Sequence, residues 1–229
     1  MPVKVKICGL KTAEALGAAV AAGADFAGFV FYPPSPRALS PDEARALGAR
    51  TPGPVAKVAL VVDGDDDLLA SIADALKPDY FQAHGAETPE RIRAMRDRFA
   101  IPVIKAIKVR DADDLVNAAR FRDVAEMILY DARAPDDEPG LLPGCNGVPF
   151  DWNLLGAANQ PRPYMLSGGL DAGNVTRALA ITGAAIVDVS SGVESAPGVK
   201  DTGKIAQFVA AVRAAATDPI DPPAGMVGT

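Results

Sequence analysis

The run Lys6-Ile7-Cys8-Gly9-Leu10-Lys11-Thr12 puts a thiol at the end of an apolar stretch, Val3 to Ile7, where Gly9 turns the chain into an alanine-rich helical pattern. A cysteine in that place is either a buried structural thiol, the common state of a lone cysteine, or a thiolate serving as general base or nucleophile with Lys6 and Lys11 nearby in sequence. Asp131 leaves another apolar run, Met127 to Tyr130. Partial desolvation there favours the protonated carboxyl of a general acid; the alternative is a carboxylate that caps the next loop. Gly168-Gly169 and Ser191-Gly192 are two small-residue turns that leave backbone N–H groups accessible to a phosphate. Arg37 follows Pro33-Pro34-Ser35-Pro36, so its planar fork is either a stiffly presented clamp for carboxylate or phosphate or simply an exposed loop arginine. Asp63, His84 and Lys108 complete the set of polar groups at strand ends. His84 either orients a ligand or packs with Gln82. Lys105 and Lys108 raise a Schiff-base route, but they lie on opposite faces of one strand and only one of them can point inwards.

These residues need elements that bring them together. Strand patterns begin near Val3, Phe26, Ala56, Tyr80, Ile101, Met127, Tyr164 and Ala185, a mean spacing of about 26 residues, and helical patterns lie between them. Thr12 caps a helix from Ala13 to Ala22 that stops at Gly23. Ser40-Pro41-Asp42-Glu43 and Thr88-Pro89-Glu90 each supply a cap, a proline in the first turn and an early acid. Helices are also expected to end at Leu76 and to span Ala112 to Phe121, Phe150 to Leu155, Gly173 to Ile181 and Lys204 to Ala216. An eightfold repeat of this period predicts an α/β chain closed as a (β/α)8 TIM barrel of eight parallel strands, with all strand ends meeting at one mouth. An open doubly wound sheet is the competing fold. It is disfavoured by eight units and by the lack of Gly-x-Gly-x-x-Gly after the first strand. Residues 1–217 then form one catalytic barrel domain, and 218–229, rich in Pro and Gly, a mobile tail. The Pro-, Gly- and Asp-rich stretch from Ala134 to Pro149 reads as an active-site loop containing Cys145.

Composition narrows the function classes. The formal charge of -6 provides no basic stripe for nucleic acid. No apolar run is long enough for a membrane span, and the N-terminal stretch lacks the pattern of a signal peptide. One histidine and scattered carboxylates offer no metal-ligand spacing, so no metal is expected. Two cysteines suit free thiols in a reducing compartment, and the expected location is the cytoplasm.

A resemblance sharpens these readings. From about residue 3 to 213 the chain resembles the phosphoribosylanthranilate isomerase family. The matching segments are Lys6-Ile7-Cys8-Gly9 with Thr12, Gly28-Phe29-Val30-Phe31 through Ser35-Pro36-Arg37, Val61-Val62-Asp63, and Gln82 with His84-Gly85 and Glu87. They continue through Leu129 with Asp131-Ala132, Phe150-Asp151-Trp152, Ser167-Gly168-Gly169-Leu170 with Asn174-Val175, Asp188 to Glu194, and Pro197-Gly198 with Lys200-Asp201. The resemblance implies a cofactor-free barrel that isomerises a small phosphorylated substrate, N-(5-phosphoribosyl)anthranilate, by an Amadori rearrangement in tryptophan biosynthesis. It implies Cys8 as general base and Asp131 as general acid, with Arg37, His84 and Asp188 facing substrate. It implies Gly168, Gly169, Ser191 and Gly192 as the phosphate cradle. For the two reacting groups, burial is expected to raise the pKa of Asp131 and local positive charge to lower that of Cys8. A monomer and a homodimer are both compatible with the family. The chain departs from the family pattern at Ala83, at Gly144 to Pro149, and at Tyr130 and Arg133 beside the acid. Rival readings are a related phosphoribosyl-amine isomerase, for which two aspartates are expected in place of Cys8 and Asp131, a lysine-dependent aldolase, and an inactive barrel that only binds phosphate ligands.

Overall fold

Eight parallel strands close on themselves in sequence order, β1 pairing with β2 and so on around to β8, which pairs back with β1. The computed structural model describes residues 2–132, 151–157 and 163–215. The strands are β1 Lys4–Cys8, β2 Phe26–Phe31, β3 Ala56–Val61, β4 Tyr80–Ala83, β5 Val103–Val109, β6 Met127–Ala132, β7 Met165–Leu166 and β8 Ile186–Val189. The helices are α1 Ala13–Ala22, α2 Pro41–Gly48, α3 Asp66–Leu76, α4 Pro89–Phe99, α5 Ala112–Ala118, α6 Asn153–Ala157, α7 Val175–Thr182 and α8 Thr202–Ala215. The (β/α)8 barrel expected from the repeat is therefore the fold. The Ala134 to Pro149 stretch, with Cys145, and the 218–229 tail lie outside the described residues.

The helix starts follow from their caps. Thr12, Asp65 and Thr88 each accept a hydrogen bond from a first-turn N–H, and Ser40 with Glu43 closes a reciprocal capping box. Where boundaries differ from the sequence reading, local chemistry explains it. The fifth strand starts at Val103 because Pro102 has no N–H to give the ladder. Asp201 accepts from Lys204 N at 2.9 Å and so opens α8 two residues earlier than expected. The Ala112 to Phe121 helix tightens into a 3-10 turn at Ala119–Phe121. A small antiparallel pair, β9 Glu194–Ala196 and β10 Val199–Lys200, follows β8 and had no strand signal in the sequence.

Strand alternation produces two interiors. Outward residues such as Val5, Ile7, Phe29, Phe81 and Val187 pack under the helices in one large apolar layer. Inward residues at the N-terminal end, Phe26, Val58, Ile104, Ala106, Leu129, Met165 and Ile186, form an apolar plug. Above it the inward residues change character: Lys6, Gln82, His84, Asp131 and Asp188 are polar and buried. Among the described residues no helix is long and apolar enough to cross a membrane.

Candidate active site

Cys8 ends β1 and is 1% exposed. Gly9 turns the chain at φ +79, and its N–H and that of Leu10 both donate to Gly28 O, which fixes where the thiol stands. Gly28 lies directly beside Cys8 in the sheet. A Cβ at Gly28 would come within 3.0 Å of Cys8 Sγ and 3.2 Å of Lys6 Cε, so this glycine leaves the room in which the Lys6 and Cys8 side chains run together. Val30 and Leu60, with the half-buried Tyr32 and Val62, form an apolar wall against the thiol.

Lys6 is fully buried and its Nζ lies 3.0 Å from Asp188 Oδ1. Burial works against the Lys6 charge, but Asp188 and Cys8 together raise its pKa above the ordinary lysine value. For Cys8, burial pushes the thiol pKa up, and Lys6 and Lys200 offset only part of that push. The expectation that nearby positive charge would lower the Cys8 pKa is thus corrected. The cations are present, but desolvation of a fully enclosed thiol outweighs them. Asp188, expected to face substrate, holds the buried Lys6 ammonium, and Lys6 itself was anticipated only as a neighbour in sequence. A lysine in the middle of an otherwise apolar strand was its available signal.

Across the mouth, Gln82 Nε2 lies 3.0 Å from His84 Nδ1, and His84 Nε2 lies 3.2 Å from Asp131 Oδ2. In this arrangement the Gln82 amide donates to Nδ1, which leaves Nε2 to carry the proton towards Asp131. Gln82 Oε1 is buried without a partner among the described residues. Reversing the amide would strand its N–H donors in place of that one acceptor. Asp131 is 1% exposed, so the carboxyl at the end of β6 is enclosed and aimed by its histidine. Of the two alternatives for His84, the packing with Gln82 is present, and its contact with the acid is one that the sequence reading did not include. Tyr130 points outward, packs edge-on against Tyr164 and has its phenol pushed up to about 12 by burial.

Arg37 is buried and paired. Its Nε and Nη2 donate to Glu194 Oε1 and Oε2 at 2.8 and 2.7 Å, a bidentate fork on a carboxylate of the chain itself. A Cβ at Gly9 would meet Arg37 Cδ at 2.7 Å, so Gly9 also provides the channel for the arginine stem. Glu194 in turn binds Lys200 Nζ at 2.6 Å. Burial raises the Glu194 pKa less than Arg37 and Lys200 lower it, so its carboxyl titrates below the usual range. Neither Glu194 nor Lys200 was assigned a role from sequence, because only the β9–β10 hairpin folds them back over the mouth.

The glycine turns meet as expected. Gly168 and Gly169 have φ +93 and +63 after β7, and Ser191–Val193 forms a 3-10 turn after β8. A Cβ at Gly192 would fall 1.9 Å from Leu170 O, so the two turns touch and only glycine fits. Asn174 Nδ2 donates to Gly169 O at 2.7 Å and its Oδ1 accepts from Asp171 N, which fixes the peptide orientation of the first turn. Two of the other sequence candidates serve the scaffold. Asp63, at φ +50, accepts from Ala86 N. Lys105 points outward, buried on Glu87 at 2.7 Å, whereas Lys108 shares the inward face with Ile104 and Ala106 at the exposed rim. Among the described residues no group of His, Cys, Asp and Glu could hold a metal ion.

With this geometry established, the likeness to known proteins is specific. The sequence model described as N-(5'phosphoribosyl)anthranilate (PRA) isomerase matches residues 5–211. The N-(5'-phosphoribosyl)anthranilate isomerase of Rhodopseudomonas palustris strain HaA2 is 55% identical over 214 residues, 93% of this chain and 97% of that one. Among solved structures, phosphoribosyl anthranilate isomerase from Thermotoga maritima superposes with a TM-score of 0.83 at 36% identity, covering 93% of this chain and 99% of its own. A phosphoribosyl anthranilate isomerase solved with reduced 1-(O-carboxyphenylamino)-1-deoxyribulose 5-phosphate gives 0.80 at 35% identity, with the same coverage of the two chains. A match over nearly the whole barrel, at identities this high, includes every strand end that builds the mouth, and the chain therefore belongs to the N-(5'-phosphoribosyl)anthranilate isomerase family.

Proposed function

We propose that this chain converts N-(5-phosphoribosyl)anthranilate to 1-(2-carboxyphenylamino)-1-deoxyribulose 5-phosphate in tryptophan biosynthesis, with Cys8 as general base and Asp131 as general acid. The observation that carries the residue roles is the enclosure of one thiol and one histidine-held carboxyl on opposite sides of a mouth with a glycine cradle at its rim. Asp131 gives a proton to the furanose ring oxygen and the ring opens to an iminium ion. Cys8 as thiolate then takes the C2 proton, which the iminium has made acidic, and the resulting enolamine tautomerises to the ketone. The turns at Gly168-Gly169 and Ser191-Gly192 hold the phosphate. At the other end, the wall of Val30, Leu60, Tyr32 and Val62 offers an apolar face to the anthranilate ring, and Arg37, steadied by Glu194, faces its carboxylate. His84 positions the acid, and Asp188 lines the path between the two ends beside Lys6. No step in this sequence calls for a cofactor. A free Cys8 thiol suits an enzyme of the reducing cytoplasm, and the net negative charge suits a small-molecule partner better than nucleic acid.

The test is the loss of anthranilate-type fluorescence when freshly generated phosphoribosylanthranilate meets the purified protein. Decay well above the uncatalysed rate is expected, and decay at the uncatalysed rate sinks the substrate assignment. Because burial pushes the Cys8 thiol up, the base is mostly protonated below its pKa. Turnover is expected to climb as pH rises from neutral into the mildly alkaline range, and a rate that falls over that interval contradicts Cys8 as the base.

A further inference from the structure

Five ionised side chains lie buried on the β1, β8 and hairpin side of the mouth. Lys6, Arg37 and Lys200 are cations; Asp188 and Glu194 are carboxylates. Three cations against two carboxylates leave one positive charge uncompensated in a region shielded from water, where unbalanced charge is costly. Cys8 is a neutral residue among them that can ionise, and a thiolate there balances the set, with the Tyr32 phenol beside it in the apolar wall.

The geometry ties the hairpin to the backbone of Cys8. Lys200 Nζ donates to Ser190 O at 2.9 Å and Ser190 Oγ at 3.2 Å, and Ser190 Oγ donates to Cys8 O at 3.2 Å. Lys200 Nζ also donates to Glu194 Oε1 at 2.6 Å, and its side chain is 2% exposed. We propose that Lys200 is a positioning residue for the base: from the β9–β10 hairpin it supplies, with Lys6, the counter-charge that Cys8 needs as a thiolate, and Glu194 limits how much of that charge the thiol receives. The groups facing Cys8 are consistent with this division. Lys6 favours the thiolate from β1, Asp188 opposes it from β8, and Lys200 favours it from β10. Gly28, Val30 and Leu60 face it from β2 and β3 without charge. Asp131 on β6, its partner His84 just past the end of β4, and the rim Lys108 on β5 stand across the mouth.

This inference rests on Cys8 being the base, yet its ionisation can be followed without turnover. In full-length protein carrying Cys145→Ser, so that a single thiol reports, carbon-13 labelling of the cysteine Cβ gives the thiol titration by NMR. Lys200→Met is expected to raise the midpoint by about one pH unit and to lower turnover at neutral pH about tenfold, with recovery as pH rises. Lys200→Arg should restore most of both. Glu194→Gln should move the midpoint the opposite way, downward, which keeps the test decisive if the methionine variant folds poorly. A midpoint unmoved in folded Lys200→Met, or moved in the same direction by Lys200→Met and Glu194→Gln, overturns the proposal. If the midpoint shifts as stated while the pH profile of turnover does not follow, the counter-charge role stands and it is the assignment of Cys8 as base that fails.

Discussion

The two ends of this barrel are built from the same eight strands and the same inward-facing alternation, yet they differ in kind. At the N-terminal end a cavity of about 730 Å³ is lined by Phe26, Tyr80, Met127 and Ile186, and Lys4 is the only charged side chain among its described lining residues. At the C-terminal end the next inward residues along the strands are Lys6, Gln82, His84, Asp131 and Asp188, all in hydrogen-bonded pairs. Concavity alone therefore does not mark the site. The mark is buried polar groups held in fixed pairs, whose desolvation is tolerable only because each pair offsets it. The plug of Phe26, Val58, Ile104, Ala106, Leu129, Met165 and Ile186 beneath them secures stability and gives the ionic layer a rigid, dry floor.

That contrast can be broken at either end. The largest effect is expected in the upper layer. Cys8→Ala and Asp131→Asn should each cost about 10²- to 10⁴-fold in turnover, measured by fluorescence decay at saturating substrate, with thermal melts close to that of the parent. Wild-type turnover in either variant removes that residue from the chemistry. The reverse pattern is expected in the plug. Leu129→Ala, at a site with no exposure, should lower unfolding free energy by about 2–5 kcal/mol in urea titration while the folded fraction keeps its turnover number. A loss of turnover with stability intact would show that the floor is not merely structural. Gly192→Ala probes the seam between the two loops. Its Cβ would overlap Leu170 O, so the turn must shift, and KM should rise more than turnover falls, with inorganic phosphate becoming a weaker competitive inhibitor. The smallest effect belongs to the outer surface. The Arg45–Asp74 pair at 2.9 Å is largely solvated, and Asp74→Asn should change stability by no more than about 0.5 kcal/mol. A larger loss there would mean that exposed pairs are worth as much in this fold as the enclosed ones.

Much of this was legible in the chain. Hydrophobic runs, proline and glycine punctuation and the caps at Thr12, Ser40 and Thr88 are local signals, and they set the order and the approximate bounds of the eight units. The strand-end positions of Cys8, Asp131 and the two glycine turns were legible because strand ends in a closed barrel must converge. The strand from Ile101 was anticipated two residues too long because its apolar pattern continues through Pro102, where the ladder cannot. Lys105 and Lys108 were correctly separated by parity, but nothing local indicated that Lys105 would be the one bound by Glu87 beneath the helices. The fork of Arg37 looked available for a ligand. Its bidentate partner lies 157 residues away and becomes visible only once the hairpin has folded back.

The sequence by itself determined the fold class, the strand ends at which reactive groups stand, and the family, since each depends on periodicity, turn chemistry or ordered motifs along the chain. Only the tertiary structure decided how those groups are charged. Desolvation of Cys8 outweighs its neighbouring lysines, Lys6 is held by Asp188 across the closure of the barrel from β1 to β8, and Glu194 joins Arg37 to Lys200. The physical reason is that burial and Coulomb interactions depend on distances through space, and a closed barrel sets residues 182 positions apart at 3.0 Å.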